Sequence, residues 1–271
     1  MTLLLTEISR YGIAMTADSA LTVPTLLPRE RQYMNRVYFG VTKLRPIPKL
    51  QAGISFWGEG RIRGVDTDVW LLDFIHRNEA QYNTPRQFAI LLRNELREQI
   101  EPISTTDDAA LRHGNVGFHL AGFARYQNAL LPTFWHIHNG QSERYQNINP
   151  TIVNANNDIP PQTVREELAR AERIQNEDWL IVRNGDFQTV YAPFYQAIRE
   201  LTRFLRTQRT VIIPAQSLRG RAEFLAFQIR AIRDLYGMSQ DLLPSVGGNV
   251  AILTISQNRI QNYFNPYDTT L

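Results

Sequence analysis

The sequence predicts an α+β fold in which helices are segregated from strands. Three observations carry this. Residues 3–57 hold strand-like runs and no helical periodicity. Two amphipathic helical stretches follow. The same block order then recurs: strands, two helices, strand. Such an order favours sheets covered by helix layers over a doubly wound parallel sheet. Nothing in the 271 residues demands a domain boundary, so one domain over residues 1–271 with loop insertions is expected.

The elements follow in order. Leu3 to Ser9 and Ile13 to Asp18 read as strands joined by the turn Ser9-Arg10-Tyr11-Gly12, an opening β-hairpin. Leu21 to Arg31, with Pro24 and Pro28, reads as a loop. Tyr38 to Leu44 and Leu50 to Trp57 read as strands separated by Pro46 and Pro48, and Gly58-Glu59-Gly60 ends them. Asp66 to Asn78 is helical, with Val69, Leu72 and Ile75 at helical spacing and Trp70, Leu71 and Phe74 widening the apolar face. Thr84-Pro85 starts a second helix, Thr as N-cap, that runs to about Ile100.

Val116 to Phe123 and Thr133 to His138 read as a strand pair, with Asn139-Gly140 as a turn signal. Asn147 to Pro161 is an irregular loop. Glu177 to Arg183 is a strand ending at Asn184-Gly185. Helices over Thr189 to Arg206 and Arg219 to Tyr236 precede a last strand, Val250 to Ser256.

Composition narrows the function. Hydrophobic residues are 43% and charged residues 20%, an ordinary globular balance, and a net charge of +3 is too small to argue for nucleic acid. No cysteine is present, which removes disulfides, thiolate catalysis and cysteine metal sites and fits a reducing, cytoplasmic setting. No apolar run reaches the ~20 residues of a membrane helix. Glu7 and Arg10 interrupt the apolar start too early for a signal peptide.

His136 and His138 share one face of a strand, but no third ligand stands nearby, so no metal is expected. His76, His113 and His119 show no useful spacing. Gly58-Glu59-Gly60 lacks the length and lysine of a phosphate loop. The only lysines are Lys43 and Lys49 in a chain that otherwise uses arginine, which makes each a place where a compact ammonium is worth tracing.

The strongest constellation is at the start. Thr2 is small enough to permit removal of Met1. A free N-terminal threonine carries both a nucleophile, Oγ, and a base, its α-amine. A nearby ammonium lowers the amine pKa and keeps it basic near neutral pH. A turn centred on Arg10 and Tyr11 sets Thr2 opposite Ser19, with Asp18 one step away. Asp18 ends an otherwise apolar strand and needs a partner. Lys43, in the next strand to pair, could supply one. From the residues alone, an ordinary surface ion pair is the favoured reading.

Thr2-Leu3-Leu4-Leu5-Thr6-Glu7-Ile8-Ser9-Arg10-Tyr11-Gly12-Ile13-Ala14-Met15-Thr16-Ala17-Asp18-Ser19 resembles the mature N-terminus of proteasome-type β-subunits: Thr, a strand, Gly, an apolar stretch, then Ala-Asp-Ser. Val41-Thr42-Lys43-Leu44 resembles the family's catalytic-lysine strand, and Ser55-Phe56-Trp57-Gly58 its oxyanion glycine segment. Leu120-Ala121-Gly122-Phe123 with Trp135 to Gly140 is similar to the central hairpin, and Ser245-Val246-Gly247-Gly248 to the entrance of the C-terminal strand. The resemblance is specific in the first twenty residues and weaker beyond. The stretch before Lys43 is longer than in the family, and Asn184-Gly185-Asp186 stands where a serine is usual. These departures are closer to the bacterial Anbu group or the β-proteobacterial proteasome homologues.

The resemblance implies an N-terminal-nucleophile hydrolase: a four-layer αββα sandwich, assembled as a homo-oligomeric ring, that hydrolyses polypeptides without a cofactor. It implies Thr2 as nucleophile, Lys43 tuning its amine, Asp18 fixing Lys43 and the Gly58 N–H holding the oxyanion. It also implies Ser245 with Asp234 or Asp241 orienting the amine. An unfoldase partner has no signature in the chain, and neither nucleic acid nor membrane is implied. Leu21–Arg31 and Asn147–Pro161 are candidate ring contacts. Two alternatives remain open: an inactive ring or scaffold protein, and an amidase acting on small molecules.

Overall fold

The structure is a computed structural model. It describes residues 2–27, 32–58, 60–99, 116–126, 129–138, 153–154, 179–185, 191–208, 216–239 and 246–264.

Leu3–Ser9 (β1) and Gly12–Ala17 (β2) form the opening hairpin, and both strands are buried throughout. Leu4 pairs with Ala17 and Ser9 with Gly12, the register that a turn at Arg10-Tyr11 dictates. Leu21–Leu27 (β3) and Gln32–Tyr38 (β4) form a separate two-stranded ribbon. This corrects the expected loop over Leu21 to Arg31. Pro24 is tolerated because each strand of a two-stranded ribbon has a free edge.

The chain continues through Leu44–Ile47 (β5), Ala52–Gly58 (β6) and the small pair Arg61–Ile62 (β7) and Val65–Asp66 (β8). Lys43, expected inside a strand over Tyr38 to Leu44, therefore lies just before β5, which corrects that expectation. Pro46 lies within β5, which is an edge strand with β6 as its neighbour.

Two helices follow, Thr67–Arg77 (α1) and Pro85–Gln99 (α2). Thr84 caps α2 by accepting from the Gln87 N–H at 3.2 Å. In α1 the inward residues are Trp70, Leu71, Phe74 and Ile75, whereas Val69 is exposed. The apolar stripe is rotated by one position from the expected one, since six apolar residues in the seven positions 69–75 leave its centre ambiguous.

Val116–Tyr126 (β9) and Ala129–His138 (β10) pair as a long hairpin, and β10 also pairs with Val153–Asn154 (β11). Trp179–Gly185 (β12) pairs with β1. Ala192–Thr207 (α3), Leu218–Met238 (α4), Ala251–Ile255 (β13) and Ile260–Phe264 (β14) complete the described elements. Strand β14 was not expected. Asn139-Gly140, and Asn147–Pro161 apart from β11, lie outside the described residues.

The strands form two five-stranded sheets, ordered β12-β1-β2-β13-β14 and β11-β10-β9-β6-β5, with antiparallel pairing. Alternation divides their side chains. Leu3 and Leu5 project from the first sheet onto α4, packing with Leu225, Ile229 and Ile232. Leu4 and Ile8 project the other way, onto Ala121, Phe123 and Phe134 of the second sheet. The far face of the second sheet packs Ile54, Phe56, Phe118 and Leu120 against α1 and α2. Each sheet is thus apolar on both faces, which explains the near-continuous hydrophobic runs in β1 and β2.

No described helix is long and apolar enough to cross a membrane.

Candidate active site

Asp18 follows β2 directly and is 2% exposed. Its backbone N–H donates to the Leu3 carbonyl at 3.3 Å, which continues the hairpin ladder by one step. Its carboxylate accepts four hydrogen bonds. Oδ1 accepts from the Leu3 N–H at 3.0 Å and from Lys43 Nζ at 2.8 Å. Oδ2 accepts from the N–H groups of Ala20 and Gly247, each at 3.1 Å. A carboxylate buried this deeply requires such compensation.

Lys43 is 1% exposed, and neither side chain of the pair is reached by solvent. The surface ion pair that the residues alone allowed is therefore corrected: this pair is buried. Lys43 Nζ also donates to the Ala20 carbonyl. Burial pushes the Lys43 ammonium below the ordinary lysine pKa, and Asp18 opposes that shift. The other lysine, Lys49, is exposed; it donates to the Glu79 carbonyl and lies over the Tyr82 ring, with no contact to Asp18 in this cluster.

Thr2 immediately precedes the amide that Asp18 holds, and it is 1% exposed. The Leu3 N–H and the Lys43 ammonium share one carboxylate oxygen, so cation, acid and first residues of β1 meet at a single point. Thr2, continuing the alternation of Leu4, Thr6 and Ile8, belongs to the face of β1 that looks toward the second sheet.

Gly58 ends β6 with φ of 89°, a conformation that favours glycine. It lies two residues beyond Phe56, whose N–H donates to the Lys43 carbonyl at 3.1 Å. Asp234 sits on α4, 58% exposed and paired with Arg233 at 2.9 Å, so it does not join the cluster. Asp241 and Ser245 lie outside the described residues.

Sequence reasoning missed several supports. Ser19 ties three segments together: its Oγ accepts from Gly40 N–H at 3.4 Å and Asn249 N–H at 2.9 Å, and its backbone N–H donates to the Gly247 carbonyl. His119, set aside for want of spacing, is fully buried between the sheets and contacts Thr6 and Asn184. Its signal was a lone polar side chain at an inward position of an apolar strand. His136 and His138 do share a face, their ring centroids 4.3 Å apart, and the Trp57 indole N–H donates to His136 Nε2 at 3.2 Å. Among the described residues no group of three or more His, Cys, Asp or Glu is placed to hold a metal ion.

No protein-family model matches the chain, and no curated protein matches it. Among solved structures, an Anbu mutant from Hyphomicrobium sp. strain MC1 is similar, with 12% identity and a TM-score of 0.49. The match covers 98% of this chain and 88% of that one.

Proposed function

We propose that this chain is a proteasome-type N-terminal-nucleophile hydrolase, a threonine peptidase that cleaves peptide bonds once Met1 has been removed. The observation that carries the reading is the shared Asp18 oxygen, which sets a buried ammonium beside the amide following Thr2. A buried ion pair is costly and adds little stability compared with an apolar replacement. Its position at the first residues of the chain gives it a use.

Loss of Met1 converts the Thr2 amide nitrogen into an amine. The Lys43 charge lowers that amine's proton affinity, so a neutral base is present near pH 7. Thr2 Oγ forms a bond to the substrate carbonyl carbon while its proton passes to the amine. The Gly58 N–H donates to the oxyanion. Collapse breaks the C–N bond, the proton goes to the leaving amine, and an ester remains on Oγ. Water, deprotonated by the same amine, hydrolyses it. Asp18 favours the charged form of Lys43 and holds it in place.

The same reading carries the finer expectations: one four-layer αββα domain, a homo-oligomeric ring enclosing the sites, and polypeptide substrates in the cytoplasm. The test is hydrolysis of a fluorogenic peptide panel by the purified protein, beside small acyl amides. Peptide turnover that Thr2→Ala abolishes supports the reading. Turnover that survives Thr2→Ala contradicts it, and turnover confined to small amides replaces peptidase by amidase.

A further inference from the structure

The mechanism above leaves His119 unused. This residue lies on β9 in the second sheet, yet both ring nitrogens reach residues of the first. Nδ1 is 3.1 Å from Thr6 Oγ1 on β1, and Nε2 is 2.6 Å from Asn184 Oδ1 on β12. An amide oxygen only accepts, so Nε2 carries the proton and Nδ1 accepts from the Thr6 hydroxyl. The neutral imidazole is therefore satisfied on both sides, and burial holds its pKa down to about 4.

The two anchors flank the proposed nucleophile. Thr6 lies on β1, on the face that Thr2 continues just ahead of the strand. Asn184 pairs with Leu4, and the next residue, Gly185, pairs with Leu3. Gly185 has φ of 101°, and a Cβ there would overlap the Thr2 carbonyl. The end of β12 is thus pressed against the backbone of residue 2, and the bond to His119 fixes that end.

The geometry points to His119 as a positioning residue for Thr2: by tethering Asn184 and Thr6 across the two sheets, it holds Gly185 against the Thr2 carbonyl and so sets where Oγ sits. This rests on the reading of Thr2 as the nucleophile. His119 itself touches neither substrate nor reacting atoms. A histidine that only filled the core would affect stability. One that sets the nucleophile affects the rate of Thr2 acylation, because small displacements at a reacting atom cost large factors.

The experiment compares single-turnover acylation of Thr2 by an electrophilic peptide in wild type, His119→Leu and His119→Gln, with thermal unfolding recorded for each. His119→Leu removes both bonds, whereas the glutamine amide can donate to Asn184 and accept from Thr6. The expected result is a loss on the order of 10-fold to 100-fold in the acylation rate of His119→Leu, at unchanged KM, with recovery in His119→Gln. Gly185→Ala shows a similar loss, and adding His119→Leu to it costs little more, because both act on one contact.

Should His119→Leu fail to fold, Asn184→Leu removes the β12 end of the tether alone and is expected to slow acylation in the same way. Acylation at the wild-type rate in His119→Leu or Asn184→Leu overturns the positioning role and leaves Thr2 as nucleophile. Failure of wild type to acylate at Thr2 overturns the nucleophile itself, and the positioning role with it.

Discussion

Two buried ion pairs lie on the same hairpin, and they are built differently. Asp18–Lys43 sits where β1 begins, with the acid accepting three backbone N–H groups besides the ammonium. Glu7–Arg221 sits on the opposite face, where β1 meets α4, at 2.5 Å, with the guanidinium also 5.2 Å over the Tyr11 ring. Burial raises the Glu7 pKa, and Arg221 opposes that shift. The Glu7 pair joins α4 to β1 beside the turn at Tyr11. The Asp18 pair joins the first residues of the chain, the segment before β5 and the loop before β13. Burial alone does not distinguish the two pairs; what the Asp18 carboxylate adds is the set of backbone N–H groups from Leu3, Ala20 and Gly247 that it gathers.

Activity separates the two pairs most strongly. Lys43→Met is expected to lower kcat on the order of 10³-fold or more in a peptidase assay, whereas Glu7→Gln leaves it within a small factor. Equal losses in both variants would erase the distinction.

Stability comes next. Asp18→Asn leaves a buried ammonium without its counter-charge, and urea unfolding should show a loss of about 3–5 kcal/mol. Glu7→Gln removes the carboxylate that Arg221 pairs with and is expected to destabilise as well. The double variants then sharpen the contrast. Glu7→Gln with Arg221→Met should regain most of the lost stability and remain active. Asp18→Asn with Lys43→Met should regain stability and stay inactive. A double variant at Asp18 and Lys43 that is both stable and active would end the functional interpretation of that pair.

The tether between the sheets predicts a pH effect. Unfolded His119 takes up a proton near pH 6.5, whereas the folded ring does so only near pH 4. The unfolded state therefore binds more protons between these values. The stability is fully present above pH 6.5 and is lost as pH falls toward 4, by about 3 kcal/mol. The depressed pKa of His136 acts in the same direction and the raised pKa of Glu7 in the opposite one, so the readout is the difference between wild type and His119→Gln. Parallel curves for the two proteins would deny His119 this role.

The smallest effect belongs to a position outside both pairs. Thr84→Ala removes the α2 cap and should cost about 1 kcal/mol by thermal or urea unfolding, with peptidase activity unchanged.

Much of the first strand pair was legible in advance because a short turn fixes register: Arg10-Tyr11 alone places Asp18 beside Leu3. Helices α1 and α2 were legible from spacing and a capping threonine. Less legible was whatever depends on partners distant in sequence. Pro24 and Pro46 argued for loops, because edge position is a property of the finished sheet. The depth of the Asp18–Lys43 pair depended on Ala20 and Gly247, whose backbone groups carry no side-chain signature. His119 could be recognised only once β1, β9 and β12 were stacked, since its two partners lie 113 and 65 residues away.

The central claim is that a liberated Thr2 beside Lys43 performs the chemistry. The most direct measurement is peptide mapping by mass spectrometry after the purified protein is treated with an electrophilic peptide. The account predicts an N-terminal peptide that begins at Thr2 and carries one acyl group, absent in Lys43→Met. An active preparation whose N-terminal peptide still begins at Met1, or a label carried by any other residue, would contradict it.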